Sequence, residues 1–207
     1  MTDERFLELC KFENEQAESG IKTIGGIDEA GRGPLAGPVV AACVVFNSEG
    51  PFPRADDSKK LSPKQRDKLY DEILETALTY GIGVIGPKVI DEINILQATY
   101  KAMQEAVRQC AVQPEILLVD YVKIPDIKIA QISITHGDAL SVSIGAASII
   151  AKVTRDRLME DLSKEYPAYG FDKHKGYGTK AHYEALSKYG LTLVHRRSFL
   201  KNFEKQA

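Results

Sequence analysis

Short apolar runs alternate with segments of helical period along the chain of 207 residues. Runs rich in β-branched residues predict strands at 21–28, 39–46, 80–85, 116–121 and 127–135. Apolar positions that recur at a period near 3.6 predict helices from Ser62 onward and over 91–110, 143–165 and 179–189. Together these elements predict an α/β fold, in which helices flank a mixed five-stranded sheet and the C-terminal region is helical.

The chain is expected to form one main domain with a small N-terminal appendage. Residues 1–20 carry the apolar residues Phe6, Leu7, Leu9 and Phe12, which predict an amphipathic helical segment docked on the body. No linker rich in Pro, Gly or Ser divides residues 21–207, so we expect a single domain there. The C-terminal part of that domain, from about residue 153 to 207, is expected to be helical and basic.

Composition excludes several classes of protein. With 43% hydrophobic and 27% charged residues, the chain has the balance of an ordinary soluble domain. The three cysteines (Cys10, Cys43 and Cys110) are far apart, which excludes a disulfide framework and a zinc knuckle. No apolar run reaches the roughly 20 residues of a membrane helix, and the charged amino terminus does not resemble a secretion signal. We therefore expect a cytoplasmic protein with no membrane partner.

The net charge of −2 hides an uneven distribution of acidic and basic residues. The first 20 residues are acidic, whereas 173–207 carry eight bases against two acids, and a second basic cluster spans 59–68. Because attraction to phosphate acts over a Debye length of about 8–10 Å, local basic clusters can hold a polyanion on an acidic protein. Solvated helix faces are the alternative interpretation, so charge permits a nucleic-acid partner without demonstrating one.

Four acidic residues follow apolar strands, where a carboxylate loses solvation: Asp28, Glu29, Asp120 and Asp138. Such carboxylates must be hydrogen-bonded, paired or bound to metal, although any one of them alone could simply cap a helix. Converging carboxylates without His or Cys suit Mg²⁺ or Mn²⁺, and two such ions can catalyse phosphodiester hydrolysis. One difficulty is local, because neighbours on a regular strand, such as Asp28 and Glu29, point to opposite faces.

Several ordered motifs make the chain similar to a known family. They lie at residues 27–38 (IDEAGRGPLAGP), 57–62 (DSKKLS), 94–96 (NIL), 146–156 (AASIIAKVTRD), 174–179 (HKGYGT) and 195–199 (HRRSF). In these motifs the sequence resembles bacterial type II ribonuclease H (ribonuclease HII), from about residue 24 to residue 199. His136 stands where relatives commonly have Lys, which puts in doubt a charged role for the residue before Gly137.

The resemblance implies a ribonuclease H-like fold and an endoribonuclease. Such an enzyme hydrolyses the RNA strand of RNA–DNA hybrids and incises 5′ of single ribonucleotides in duplex DNA, leaving a 5′-phosphate and a 3′-hydroxyl. It implies that Asp28, Glu29, Asp120 and Asp138 are the catalytic metal ligands, for Mg²⁺ or Mn²⁺ and for two ions during catalysis. We expect a monomer and leave open whether a replication clamp or a polymerase recruits it.

The resemblance also implies a substrate-reading surface. Gly31, Arg32 and Gly33 match the loop that reads the RNA-to-DNA junction, and Tyr177 matches the tyrosine that works with it. Glycines let the backbone approach a 2′-hydroxyl, the group that separates RNA from DNA, and an aromatic ring can stack on the nucleotide. Lys59 and Lys60 are expected to contact phosphate, with a solvated loop as the alternative. For Tyr177 the alternative is a buried aromatic in a glycine loop.

Three other interpretations compete with this one. Type III ribonuclease H shares the chemistry but generally has Gly-Lys-Gly at the loop and an extra N-terminal domain. Another two-metal nuclease or integrase of the same fold would lack the Gly-Arg-Gly loop and act on DNA alone. A non-catalytic nucleic-acid-binding module would have no reason to keep four acids beside a phosphate-binding surface, because each acid weakens polyanion binding.

Overall fold

The computed structural model describes residues 1–55 and 61–204. The strands are β1 (Thr23–Ala30), β2 (Val39–Asn47), β3 (Thr79–Ile85), β4 (Ile116–Asp120) and β5 (Ala130–Ile134). The helices are α1 (Asp3–Leu9), α2 (Lys11–Glu18), α3 (Pro63–Thr76), α4 (Pro87–Gln109), α5 (Val142–Glu165), α6 (Phe171–His174), α7 (Lys180–Tyr189) and α8 (Lys201–Glu204). Short 3₁₀ turns span Gly137–Ala139 and Arg197–Phe199. The predicted α/β fold is confirmed.

The strands form one mixed sheet in the order β3-β2-β1-β4-β5. β1, β2 and β3 pair antiparallel, whereas β4 runs parallel to β1, and β5 runs parallel to β4. The carboxyl ends of β1, β4 and β5 therefore meet at one edge of the sheet, which is where parallel sheets of this kind bind their ligands.

Strand β2 divides the core into two layers by the alternation of its side chains. Positions 39, 41, 43 and 45 pack on one face, against Met103 and neighbouring residues of α4. Positions 42, 44 and 46 pack on the other face, against Ile149 of α5 and Ile73 of α3. All of these side chains are buried, and each large one contributes about 1.5–3 kcal/mol on leaving water. Both faces of the sheet are thus covered by helices, as the unbroken apolar run of β2 predicts.

Helix α5 lies unusually close to β1. A β-carbon added at Gly26 would stand 2.1 Å from the carbonyl of Ser143, so only glycine permits this approach. The contact places the first turns of α5 directly over the end of β1 that carries Asp28.

Two predicted helices differ in detail from the sequence-based expectation. The N-terminal segment forms two short helices that meet at Cys10 instead of one. Helix α4 begins at Pro87, because Pro suits a first helical position, and not at residue 91. It is interrupted at Asn94, whose φ is 67° and whose side chain accepts hydrogen bonds from the backbone amides of Leu96 and Gln97. In the described part of the chain, no helix has the length and apolar character that crossing a membrane requires.

Candidate active site

The carboxylates of Asp28 and Asp120 come from neighbouring parallel strands. The ladder between β1 and β4 ends with Ile27 opposite Val119, so the next residue on each strand is one of the two acids. Asp138 follows β5 in the 3₁₀ turn that precedes α5. These three side chains and Glu29 line one pocket of about 260 Å³ at the sheet edge.

Glu29 reaches this pocket although it follows Asp28 directly on the strand. Because the β1–β4 ladder stops at Ile27, Glu29 lies beyond the end of the neighbouring strand, and its side chain can bend around the open edge. Its carboxylate pairs with Arg32 at 3.2 Å, and its backbone amide donates to Asp28 Oδ1 at 2.7 Å. Asp28 and Glu29 therefore both reach the pocket, although neighbours on a regular strand point to opposite faces.

The crowding of carboxylates perturbs their protonation. Burial raises the pKa of Asp28 well above its ordinary value, and the charges of Glu29 and Asp120 raise it further. A hydrogen bond with Ser148 opposes this rise in the pKa of Asp28. Burial also raises the pKa of Glu29, while the Arg32 guanidinium partly offsets that effect. Carboxylates that repel one another in a buried pocket are stabilised by a bound cation.

The turn that carries Asp138 is held against Asp120. Asp120 Oδ1 accepts a 2.7 Å hydrogen bond from the backbone amide of Gly137. His136, just before this turn, adopts a left-handed conformation with φ of 60° and leaves its side chain exposed. The histidine that replaces the usual lysine therefore faces solvent, while Asp138 itself is buried.

The donor chemistry of the pocket fits a hard divalent cation, since the four candidate ligands offer only carboxylate oxygens. Within residues 1–55 and 61–204, however, no three His, Cys, Asp or Glu side chains are grouped so that they could hold an ion. One oxygen of each of two carboxylates has another partner: Glu29 Oε1 accepts from Arg32, and Asp120 Oδ1 accepts from Gly137.

The segment between β1 and β2, residues 31–38, is the glycine loop; it lies beside the pocket and is shaped by two buried arginines. Arg155 donates to the carbonyls of Pro38 at 2.9 Å and Ala36 at 3.2 Å. Arg196 donates to the carbonyls at positions 31, 32 and 37 over 2.6–3.0 Å. Arg155 is 1% exposed and Arg196 is fully buried, so Arg196 does not belong to the basic C-terminal surface predicted from charge. The guanidinium groups satisfy loop carbonyls that would otherwise be buried without donors.

Tyr177 lies against the same loop. Gly31 has φ of +94°, and a β-carbon there would stand 2.0 Å from Arg155 Nε, so the position requires glycine. The Tyr177 ring comes within 3.6 Å of the place that a β-carbon at Gly33 would occupy. Tyr177 is 47% exposed, which excludes a purely buried aromatic, and both Gly31 and Tyr177 line the carboxylate pocket. The acids, the loop and the tyrosine thus form one continuous surface.

The predicted substrate-binding residues and the residues that line the pocket are not the same set. Arg32 is half-exposed at the rim, and Lys59 and Lys60 lie outside the described residues. Conversely, Ser148, Lys152 and Arg155 also line the pocket. Their spacing of four and three residues puts them on one face of α5, a polar stripe in an apolar helix that could have been noticed in the sequence.

A mixed sheet covered by helices, with four carboxylates at the edge where its parallel strands end, defines the class of metal-dependent phosphodiester hydrolases with a ribonuclease H-like fold. Comparison with known proteins agrees. The family model "Ribonuclease HII" matches residues 25–202. Ribonuclease HII of Acetivibrio thermocellus is 56% identical over 199 residues, which cover 96% of this chain and 78% of that enzyme. Ribonuclease HII of Clostridioides difficile is 56% identical over 200 residues, 97% of this chain and 78% of the relative.

Solved structures resemble the chain in the same way. Ribonuclease H2 of Pyrococcus horikoshii OT3 aligns with a TM-score of 0.75 and 28% identity, covering 89% of this chain and 98% of that one. Ribonuclease HII of Archaeoglobus fulgidus, solved as a complex with PCNA, aligns with a TM-score of 0.70 and 27% identity. It covers 84% of this chain and 93% of its own.

The chain belongs to the ribonuclease HII family. It is therefore a metal-dependent ribonuclease, and the resemblance carried by the sequence motifs is confirmed. Family membership supports endoribonuclease activity on RNA–DNA hybrids. A solved ribonuclease HIII, 19% identical with a TM-score of 0.63, shares the fold of this chain.

Proposed function

We propose that this enzyme hydrolyses the RNA strand of RNA–DNA hybrids and also incises duplex DNA 5′ of a single embedded ribonucleotide. The products are a 5′-phosphate and a 3′-hydroxyl. The observation that carries the proposal is the continuity of the pocket, in which the four carboxylates share walls with Gly31 and Tyr177. Chemistry and ribose recognition are thereby adjacent on one surface.

Asp28, Glu29, Asp120 and Asp138 are the proposed metal ligands. Two Mg²⁺ or Mn²⁺ ions bound there would activate the attacking water and stabilise the departing 3′ oxygen. Asp28 is held by Ser148 and by the amide of Glu29, so its position is fixed before any ligand arrives. Glu29 pairs with the half-exposed Arg32, so a cation held by Glu29 would compete with this guanidinium, and Arg32 would then be available to a backbone phosphate.

Gly31, Arg32, Gly33 and Tyr177 are the proposed ribose-reading surface. The carbonyls at positions 31 and 32 point to the buried Arg196, so the loop is held rigidly and can present its main chain to a sugar. Tyr177 is exposed beside Gly33, where its ring can stack on the nucleotide at the junction. Only the 2′-hydroxyl differs between the substrates to be distinguished, so a rigid backbone contact is an effective discriminator.

One assay tests both parts of this proposal. The enzyme is incubated with Mg²⁺ and three end-labelled duplexes: an RNA–DNA hybrid, a DNA duplex with one ribonucleotide, and the same duplex without it. We expect cleavage of the first two and none of the third, with product ends that carry 5′-phosphate. Equal cleavage of all three would refute ribose reading, and cleavage of none would refute the catalytic assignment.

The oligomeric state and partners are proposals of the same kind. We propose a monomer in solution and recruitment by a sliding clamp; the A. fulgidus relative, solved with PCNA, supports the latter. Light scattering at micromolar concentration tests the first, and co-elution with a purified clamp on size exclusion tests the second. A dimer mass, or separate elution of the two proteins, would contradict the respective proposal.

A further inference from the structure

Two buried histidines lie directly beneath the loop that carries Tyr177. His182 on α7 is fully buried, and His195 is 2% exposed. Their Nε2 atoms are 3.1 Å apart, and Phe171 packs against both rings. A pair of imidazole nitrogens at this distance shares one proton, so the direction of the hydrogen bond has to be established from the other two ring nitrogens.

The two ends of the pair fix that direction independently. The backbone amide of Thr192 lies 3.0 Å from His195 Nδ1 and can only donate, so this Nδ1 accepts and the proton of a neutral ring sits on Nε2. The carbonyl of Tyr177 lies 2.9 Å from His182 Nδ1 and can only accept, so this Nδ1 carries the proton and Nε2 accepts. Both assignments give the same chain of hydrogen bonds, which runs from the Thr192 amide through His195 and His182 to the Tyr177 carbonyl.

This chain of hydrogen bonds joins the two halves of the proposed ribose-reading surface. His195 forms a β-bridge with Ala36, at the far end of the glycine loop. Leu35 ties the loop to both segments, because its carbonyl accepts from Arg196 N, next to His195, and its amide donates to the carbonyl of Gly176, next to Tyr177, both at 2.8 Å. His182 holds the Tyr177 carbonyl at the other end. A displacement of either ring therefore moves Tyr177 relative to Gly33.

We propose that His182 and His195 are positioning residues for substrate discrimination: with both rings neutral, their directed hydrogen-bond chain holds Tyr177 in register with the glycine loop. This inference rests on the proposed ribose reading and adds to it the residues that set its precision. Neither histidine lines the carboxylate pocket, so neither is a catalytic residue.

The arrangement needs this one pair of tautomers. If His182 were protonated, two N–H groups would face each other across 3.1 Å, and if His195 were protonated, its Nδ1–H would face the Thr192 amide at 3.0 Å, so either charge breaks one hydrogen bond of the chain. If His182 took the other tautomer, its bare Nδ1 would face the Tyr177 carbonyl, and the two lone pairs would repel. Burial lowers the pKa of both imidazoles, which favours the neutral rings that the chain requires.

Nuclear magnetic resonance of the wild-type enzyme tests the chain directly. Long-range ¹H–¹⁵N correlation spectra distinguish the two neutral tautomers from imidazolium, and we would record them at about pH 7.5, above the ordinary histidine pKa. We expect His195 with its proton on Nε2 and His182 with its proton on Nδ1. The reversed assignment, or a charged ring at this pH, overturns the proposal.

Variants then test the functional consequence. His195→Phe keeps a ring in the cluster but removes the donor, whereas in His195→Gln the amide can still donate to His182. The matched control is Phe171→Leu, which loosens the same cluster and leaves the chain intact. For each enzyme we would measure the ratio of kcat/KM on the single-ribonucleotide duplex to kcat/KM on the continuous hybrid.

We expect the ratio to fall about tenfold in His195→Phe and to stay near the wild-type value in His195→Gln and Phe171→Leu. If His195→Phe lowers kcat/KM on both substrates by the same factor, as Phe171→Leu does, the role of His195 is merely structural and the proposal is overturned. If the wild-type enzyme cuts the hybrid but not the single-ribonucleotide duplex, the proposed ribose reading is refuted instead. This outcome is independent of the tautomer measurement, so the two failures are distinguishable.

Discussion

The carboxylate of Glu13 accepts a 2.6 Å hydrogen bond from Ser141, 128 residues away in sequence. Glu13 is fully buried, and the same oxygen also accepts from the amide and hydroxyl of Ser143. Arg5, from the same N-terminal segment, donates to the Ala139 carbonyl at 2.6 Å. The N-terminal segment therefore contacts the turn that carries Asp138 and the first turn of α5, where a negative charge stabilises the helix.

Replacing Glu13 by Ala is expected to destabilise the protein by about 2–4 kcal/mol, because the buried donors of Ser141 and Ser143 lose their acceptor. Glu13→Gln keeps one oxygen in place and should cost less. Urea unfolding monitored by circular dichroism gives both values. Glu15→Ala, an exposed change on the same helix, is the control; an equal loss in Glu15→Ala and Glu13→Ala would contradict the argument.

Asp28→Asn is expected to abolish cleavage while raising stability in metal-free buffer. The asparagine removes a buried acid that Glu29 and Asp120 repel when it is charged, so we expect the metal-free variant to be more stable than the wild type. Hybrid binding should survive, which a fluorescence-anisotropy titration with labelled hybrid would measure. Asp156→Asn, whose carboxylate pairs with Lys152 outside the four-acid group, is the comparison. Cleavage by Asp28→Asn at the wild-type rate would exclude Asp28 as an essential ligand.

Arg196→Ala should impair the glycine loop specifically. Three loop carbonyls lose their donor, so we expect a loss of about 2–4 kcal/mol in stability and a larger loss of activity on the single-ribonucleotide duplex than on the hybrid. Thermal unfolding and the two cleavage rates measure these effects. Arg197→Ala changes the exposed neighbour and should leave stability within about 0.5 kcal/mol of wild type. Equal effects of the two substitutions would show that burial of the guanidinium is irrelevant.

Stability should depend on pH through His195. Burial, and then the neighbouring His182, lowers the pKa of His195 from 6.5 to about 4. Below pH 6.5 the unfolded chain binds a proton that the folded chain does not, so stability is complete above that pH and declines as the pH falls toward 4. The decline from this group is up to about 3 kcal/mol.

Urea titrations at several pH values measure this decline, and His195→Phe is the reference because it cannot titrate there. We expect the wild-type protein to lose more stability between the ordinary and the lowered pKa of this histidine than the variant loses. Identical slopes for the two proteins would contradict the assignment of a lowered pKa to His195.

The sheet and the position of the carboxylates could be predicted because each rests on local patterns. An apolar strand that leads into Asp28 or Asp120 predicts an acid at the edge of the sheet, since the carboxyl ends of parallel strands meet at one edge. The support of the site could not be predicted in this way. Glu13 and Arg196 resemble surface charges in sequence, and only long-range packing buries them against Ser141 and the Gly31 carbonyl.

Two details show where local patterns mislead. Strand alternation predicts opposite faces for Asp28 and Glu29, yet the β1–β4 ladder ends at Ile27 and both side chains line one pocket. The helical period around residue 94 continues without a break, although the backbone of Asn94 leaves the helix there. At Asn94 the backbone departs from the regular geometry on which periodicity depends, whereas β1 keeps its pairing with β2 through Ala30 and both acids reach the pocket where the β1–β4 ladder ends.

The supports of the glycine loop come from the far end of the polypeptide: Arg155 on α5, Gly176, and the segment that carries Val194 and Arg196. A ribosome completes all four acidic residues of the pocket by position 138, long before it adds those supports. During synthesis the chain thus acquires the proposed metal ligands first and the supports of the proposed ribose-reading surface last. Truncation near the carboxyl terminus should consequently remove selectivity from the enzyme before it removes the hydrolytic centre.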